Sequence, residues 1–441
     1  MTPIAQEIAR YRDHFDTFEK KLNGKNQNPI GQIRRAALQR FTELGFPTLK
    51  HEDWRFTNIS AITQTDFRPA SDHATAPADL LDNYLIEPAN VPTLVFVNGF
   101  FRPDLSTKQK SRPDFIFEPL SVELKDPDSA ANRHLARFAA LDTSFTALNT
   151  AFLREGALIH VGKNVVVKEP LHILHLAVAE PEPAMIHPRN LIVLDDSSQL
   201  TLIESYVGSD GVYLNNPVTE IILGENASLE HHKIQVESMT GYHIAMQHVQ
   251  QQRNSNFISH SFSFGGAIVR NNLVNVLDGQ GSECVLNGLY LAHGTQLVDN
   301  HSLIDHAMPH CHSRELYKGI LDQESRAVFT GRIRVRKDAQ KTDAIQSNQN
   351  LLLSADATID SKPQLEIYAD DVRCTHGGTV GQIDQDQIFY LRSRGVPLPD
   401  AQNILVHAFA GGITERVKMA GLQQKLDAMV IQRLHDGHIT K

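Results

Sequence analysis

Apolar residues recur along this chain with two different periods. Near the N-terminus Ile4, Ile8, Tyr11, Phe15 and Phe18 stand three or four apart, which predicts an amphipathic helix. Asn23-Gly24 breaks that pattern. Ile30, Ile33, Ala37, Leu38 and Phe41 then predict a second helix ending near Gly45-Phe46-Pro47. The stretch His51-Glu52-Asp53-Trp54-Arg55-Phe56 follows and holds the only Trp, whose expected role is a packing anchor. Residues 69–90 are rich in Ala, Pro and Asp and read as a loop or linker. Thr93 to Val97 reads as a short strand closed by Asn98-Gly99. His134 to Leu148 returns to helical spacing.

From about residue 157 the period shortens to two. Short apolar, β-branched runs recur between turns of Asp, Gly, Asn and Ser. Aligning the turns exposes a degenerate repeat, with units opening at Leu194, Leu223, Gln251, Leu277, Leu321 and Leu353. The starts are 29, 28, 26, 44 and 32 residues apart. A period of this size marks a solenoid or propeller. Each unit has room for two or three short strands, too few for a propeller blade, and no Trp-Asp signature is present, so a β-solenoid is expected. An open β-sandwich would satisfy the alternation without needing the recurring turn. The 44-residue interval calls for an insertion, and it holds the segment richest in histidine.

Helical spacing resumes near the C-terminus. Ile388, Leu391 and Arg392 lie on one helix ending at Gly395; Ile404, Leu405, Ala408 and Phe409 face another, weakened in its middle by Gly411-Gly412; Leu422, Leu426, Met429 and Val430 mark a third. Such helices either cap a solenoid or dock a partner, and the pattern alone supports both. The division expected is 1–155 mostly helical with a short strand and linker, 156–382 β-solenoid, and 383–441 helical.

Composition narrows the function. The 441 residues are 41 % hydrophobic and 21 % charged, with a formal net charge of −9 and no basic block, which argues against nucleic-acid binding. The N-terminus lacks the apolar core of a secretory signal, and no run reaches the ~18 apolar residues of a membrane span. A soluble, cytoplasmic protein is expected. The three cysteines, Cys284, Cys311 and Cys374, are odd in number and contain no CxxC pair, which excludes a disulfide framework and a self-sufficient four-thiolate site.

Two segments carry candidate chemistry. The first is His301 to His312, where His301, His306, His310, Cys311 and His312 offer imidazole and thiolate ligands for zinc or iron. Its spacing matches no established metal motif, so a polar stripe on solenoid strands is the competing reading. The second is Asp370-Asp371-Val372-Arg373-Cys374-Thr375-His376-Gly377-Gly378. On a strand, Cys374 and His376 would share one side. Both suit iron, zinc or a cluster, and a nearby cation such as protonated His376 would favour the thiolate. Two ligands leave a four-coordinate site unfinished, so the rest must come from elsewhere, most simply a partner subunit. A buried Cys beside a hydrogen-bonded His is the structural alternative. No GxxxxGK[ST] loop, GxSxG elbow or dinucleotide fingerprint is present, so no ATP site is expected in this chain.

The run from Leu286 to Val417 resembles the SufD branch of the SufB/SufD family. Carrying stretches include Leu286-Asn287-Gly288-Leu289-Tyr290, Val298-Asp299-Asn300-His301, Asp338-Ala339-Gln340-Lys341-Thr342-Asp343, Lys362 to Val372, Cys374-Thr375-His376-Gly377 and Gln387 to Gly395. Glu52 to Thr57 resembles the family's N-terminal motif; residues 60–155 match only loosely. SufB-like chains differ around Cys374. The resemblance implies a right-handed parallel β-helix between helical regions. It implies a non-enzymatic scaffold that pairs with SufB, docks the ATPase SufC through its C-terminal helices, and shares a transient iron–sulfur cluster with SufB. Cys374 and His376 match family positions at the SufB interface, His376 being the stronger ligand candidate. Thr375 and Gly378 stand where relatives often have Ser and Ala. A solenoid edge could also pair with a copy of itself, so a homodimer is one state open to the chain without SufB, beside the monomer. The competing function is a stand-alone β-helix enzyme, either a metal-dependent hydrolase using the 301–312 histidines or a polysaccharide lyase.

Overall fold

The computed structural model describes residues 3–22, 29–77, 80–81, 84, 91–107, 111–139 and 141–436. Its centre is a parallel β-solenoid formed by a twelve-stranded and a ten-stranded sheet. The chain alternates between the sheets, so each strand pairs with the strands one coil before and one coil after. Ten-residue strands such as Leu297–His306, His312–Leu321 and Arg326–Val335 point alternate residues inward. Their inward Leu, Ile, Phe and Ala side chains stack from coil to coil into one continuous core, including Leu202, Leu229, Phe257, Cys284 and Phe329.

The corners are set by one backbone device. At successive corners leading into the ten-stranded sheet, Ser197, Asn226, Asn254, Gly281, His310 and Lys341 have φ between 54° and 73°. Each donates its N–H to a carbonyl of the next coil: Ser197 to Glu225, Asn226 to Arg253, Asn254 to Gln280, Gly281 to Pro309, His310 to Gln340 and Lys341 to Asp371. Asn and Gly adopt this left-handed conformation at least cost, which is why turn residues mark the repeat so clearly.

The repeat is more regular than its sequence intervals imply. Leu277 pairs with His306 and His306 with Val335, 29 residues apart each time. The expected insertion does not exist. The turn near Leu321 belongs to the opposite corner, half a coil out of phase, and the 44-residue interval is one and a half ordinary coils. The sheets also begin before residue 156, because Thr93–Val97 and Phe115–Pro119 supply early strands. Thr93–Val97 is buried along its whole length, the condition of a strand covered on both faces.

Both expected N-terminal helices form, Pro3–Lys21 and Pro29–Leu44. Tyr11, Phe15, Phe18 and Phe41 pack with Phe46, Phe145 and Phe152 into an aromatic cluster on the solenoid flank. Asn23-Gly24 lies outside the described residues. Of the expected linker, Arg68–Pro69 is a short strand pairing with Ala184 and Met185, and part of 78–90 lies outside the described residues. The helical spacing from His134 to Leu148 does not yield one helix. Helices Ala130–His134 and Ser144–Ala151 are separated by turns. There the buried carboxylate of Glu220, paired with Arg189 at 2.7 Å, accepts the backbone N–H groups of Ala136, Phe138 and Ala139. Those amides therefore hydrogen-bond to the carboxylate.

Three C-terminal helices follow the solenoid: Gln385–Ser393, Leu398–Thr414 and Ala420–Asp436. The last two lie along the outer face of the ten-stranded sheet. Val406, Ala410, Ile413, Leu422, Leu426 and Val430 bury against Ile234, Phe262, Leu289 and Ile320. Gly411-Gly412 leaves the second helix unbroken and lets Lys318 approach; its ammonium donates to the Phe409 carbonyl at 3.0 Å and sits 4.5 Å from that ring. No helix among the described residues is long and apolar enough to cross a membrane.

Candidate functional site

Cys374 and His376 belong to the final strand, Arg373–Gly381. The apolar strand Thr358–Ile367 does not run on into it; the chain turns through 368–372 and crosses to the other sheet. Among the described residues the final strand pairs only with Asp343–Leu352, which leaves its other edge open. It is exposed at every position except Cys374. A side chain at Gly377 or Gly381 would meet nothing within 4 Å. Around this open coil Tyr368, Val380, Phe389 and Tyr390 are all more than half exposed, Phe389 at 75 %.

Register places Cys374 opposite Ala344 and His376 opposite Gln346. Cys374 packs inward against the small cluster of Ile333, Val335, Ala344 and Ala369. Burial raises the pKa of its thiol, and the charge of Asp343 raises it further, despite a backbone hydrogen bond with Ala344 that lowers it. The thiolate expected from a neighbouring cation is thus not favoured: the charge that acts on this thiol, Asp343, is negative. Behind His376, one and two coils back, lie Gln346 and Glu315, with Gln346 Nε2 donating to Glu315 Oε2 at 2.7 Å. Burial pushes the Glu315 carboxyl up. The stacking repeat would have singled out both residues, since each occupies the position of His376 in an earlier coil.

The residues of the 301–312 segment do not converge. His301 points outward, with Nε2 3.0 Å from Asp299 Oδ1. His306 points into the core, Nε2 2.9 Å from Ser313 Oγ, and burial lowers its pKa to about 4. His310 is the left-handed corner residue, at φ 60°. Cys311 is buried, its thiol 3.3 Å from the Gly279 carbonyl. His312 is exposed at the start of the next strand. Among the described residues, none of them joins a group of three potential metal ligands. The histidine-rich composition arises from a corner and the two faces of neighbouring strands, and the hydrolase site expected there is not formed.

His301 instead belongs to the anchor of the Glu52–Trp54 turn. Arg270 lies against the Trp54 ring, donates to the Asp53 carbonyl at 2.8 Å and pairs with Asp299, which also accepts the Thr57 hydroxyl at 2.5 Å. Trp54 stacks on Phe145 with 5.5 Å between ring centres, confirming its role as a packing anchor.

The chain matches the family described as SUF system FeS cluster assembly, SufBD core domain, over residues 176–409, and the SufBD protein N-terminal region over residues 5–173. It is 34 % identical to the iron–sulfur cluster assembly protein SufD of Escherichia coli over 421 residues, covering 95 % of both chains. It belongs to the SufB/SufD family of iron–sulfur cluster assembly proteins. A SufBD family protein of Synechocystis is 33 % identical, covering 96 % of this chain and 94 % of its own. SufD of Bacillus subtilis is 26 % identical over 94 % of this chain and 97 % of its own. The match spans both the solenoid of this SufB/SufD chain and the N-terminal region that anchors Trp54.

Proposed function

We propose that this chain is a SufD-type scaffold subunit, without catalytic activity of its own, acting in the cytoplasm. Its last coil pairs with a SufB-type partner, and His376, with Cys374 beside it, helps hold a nascent iron–sulfur cluster that is the complex's cargo. The observation carrying this reading is the outer edge of the final strand, unpaired among the described residues, on a strand that presents His376 to solvent. An open strand edge adds affinity through main-chain pairing, and exposed Tyr368, Val380 and Phe389 supply apolar area beside it. Two ligands from this chain leave room for two or more from the partner. The D-type assignment is supported by the relatives named SufD and by the Cys374-Thr375-His376-Gly377 stretch.

The C-terminal helices are the proposed dock for a SufC-type ATPase, with Leu398 and Ile404 exposed on the helix Leu398–Thr414. Reconstitution tests the whole reading. The chain is co-purified with candidate SufB- and SufC-type subunits and supplied anaerobically with iron and sulfide. His376→Ala should leave the complex assembled and lower the cluster yield. Full cluster assembly by that variant counts against the site, and failure to recruit either partner counts against the scaffold role.

A further inference from the structure

Glu230 and His232 lie on the strand Ser228–Val236, and His260 on the neighbouring strand Asn256–Ser263. His232 and His260 are directly opposite in register, and Glu230 shares their face two residues earlier. That face is the outer one, away from the solenoid core, beneath the C-terminal helices. The imidazoles stack with 5.1 Å between centres and 16° between planes. Both Nε2 atoms approach the same carboxylate oxygen, Glu230 Oε1, at 3.5 Å from His232 and 3.9 Å from His260. Their ligand atoms all lie within 4.8 Å of one another, the one such group of three among the described residues.

We infer that Glu230, His232 and His260 form a binding site for a first-row divalent metal ion, zinc or ferrous iron. Two histidines and one carboxylate are a recurrent ligand set for both ions, and leave a position for water. Metal–ligand bonds of about 2.0–2.2 Å put neighbouring tetrahedral ligand atoms roughly 3.3–3.6 Å apart. The two carboxylate–histidine separations, 3.5 and 3.9 Å, lie within a few tenths of an ångström of that range, and rotation of the stacked imidazoles would bring their nitrogens together onto the ion. Both ring nitrogens of His232 and Nδ1 of His260 are buried without a hydrogen-bond partner among the described residues. Burying polar atoms in this way costs free energy that a bound ion would offset. In register, His232 is flanked by Ile203 and His260 by Asn287, whose side-chain oxygen accepts from Arg416 at 3.4 Å. Arg416 and Lys418 approach from the C-terminal segment and oppose a cation, which makes the Glu230 charge necessary to the site. The Glu230 side chain is 24 % exposed while the two histidines are almost wholly covered, so an ion would reach the site past the carboxylate.

This site is separate from the final coil and does not depend on the reading of His376. Purified full-length chain, stripped with chelator, is titrated anaerobically with Zn2+, Fe2+ and, as an optical probe, Co2+. One equivalent should bind per chain, with a Co2+ ligand-field spectrum of nitrogen and oxygen ligation. Glu230→Gln and His260→Gln should each weaken binding by more than about a hundredfold, since even indirect partners of metal ligands are worth 10–100-fold. Cys374→Ala/His376→Ala should retain the equivalent. Absence of stoichiometric binding, or equal binding by Glu230→Gln, overturns the inference. Because Glu230 reaches the surface, its variant decides the matter even where His260→Gln fails to fold.

Discussion

The guanidinium of Arg270 lies 3.9 Å from the centre of the Trp54 ring and forms an ion pair with Asp299, both charged groups being buried. One side chain thus ties an N-terminal turn to the solenoid wall 217 residues later. Arg270→Met should cost about 3–5 kcal/mol, because it leaves the Asp299 charge buried without its partner. Trp54→Phe should cost less, keeping most of the apolar contact. Urea unfolding followed by circular dichroism distinguishes them.

The same pair predicts a pH dependence. Burial alone would raise the Asp299 carboxyl, but the charge of Arg270, and then that of His301, outweigh it and leave its pKa below the usual value. A carboxyl depressed in the folded state contributes stability above its unfolded pKa of about 3.9 and loses it as pH falls through the folded value. Asp299→Asn should therefore lower stability at neutral pH and flatten its decline below about pH 4. Unfolding midpoints measured across the acid range check this.

Two glycines are shaped by the tyrosines opposite them. Gly288 pairs with Tyr317 and Tyr290 with Gly319 across neighbouring strands. A Cβ at Gly288 would come within 2.2 Å of the Tyr317 ring, and one at Gly319 within 2.3 Å of the Tyr290 ring. Gly288→Ala and Gly319→Ala should each destabilise by about 1–3 kcal/mol through overpacking. Thermal unfolding of the two single variants tests the expectation.

Cys374 should react slowly with iodoacetamide at neutral pH, because burial and Asp343 both favour its protonated form. Its rate should climb as pH rises past the ordinary thiol value of about 8.5. Asp343→Asn should speed the reaction severalfold, because it removes the negative charge that favours the thiol over the thiolate. Cys284 and Cys311 are buried and should be labelled only on unfolding. Mass-spectrometric labelling rates read all three sites at once.

His376→Ala should change stability by no more than about 0.5 kcal/mol, since the side chain is exposed on an edge strand. Val380→Lys, 54 % exposed on that strand, should weaken association with a SufB-type partner, or between two copies of this chain, without unfolding the monomer. Size-exclusion chromatography coupled to light scattering reads both outcomes.

Residue order alone determined the kind of element almost everywhere that periodicity was strong. Alternation at 200–204 and 327–331 made strands, three-and-four spacing at Tyr11, Phe15 and Phe18 made a helix, and Asp384 and Gly395 bounded another. These are local consequences of side-chain geometry and backbone conformation. It also singled out Cys374 and His376 as a candidate pair, two ligands short of a four-coordinate site. Where a carboxylate from a distant strand captured three amides, at 136–139, local spacing misled.

Tertiary structure decided everything that depends on phase between coils. Turns at opposite corners look alike in sequence, so the coil boundary near Leu321 was set half a coil away. The histidines at 301, 306, 310 and 312 are close in sequence and dispersed in space, because a strand sends neighbours to opposite faces and a corner turns the chain away. His232 and His260 are 28 residues apart and directly opposed, because corner hydrogen bonds fix each coil's register on the next. That separation equals the interval between Leu223 and Gln251, which pair in the same coils. The period was visible in the sequence; which side chains it would bring together depended on register, and register is a property of the stacked backbone.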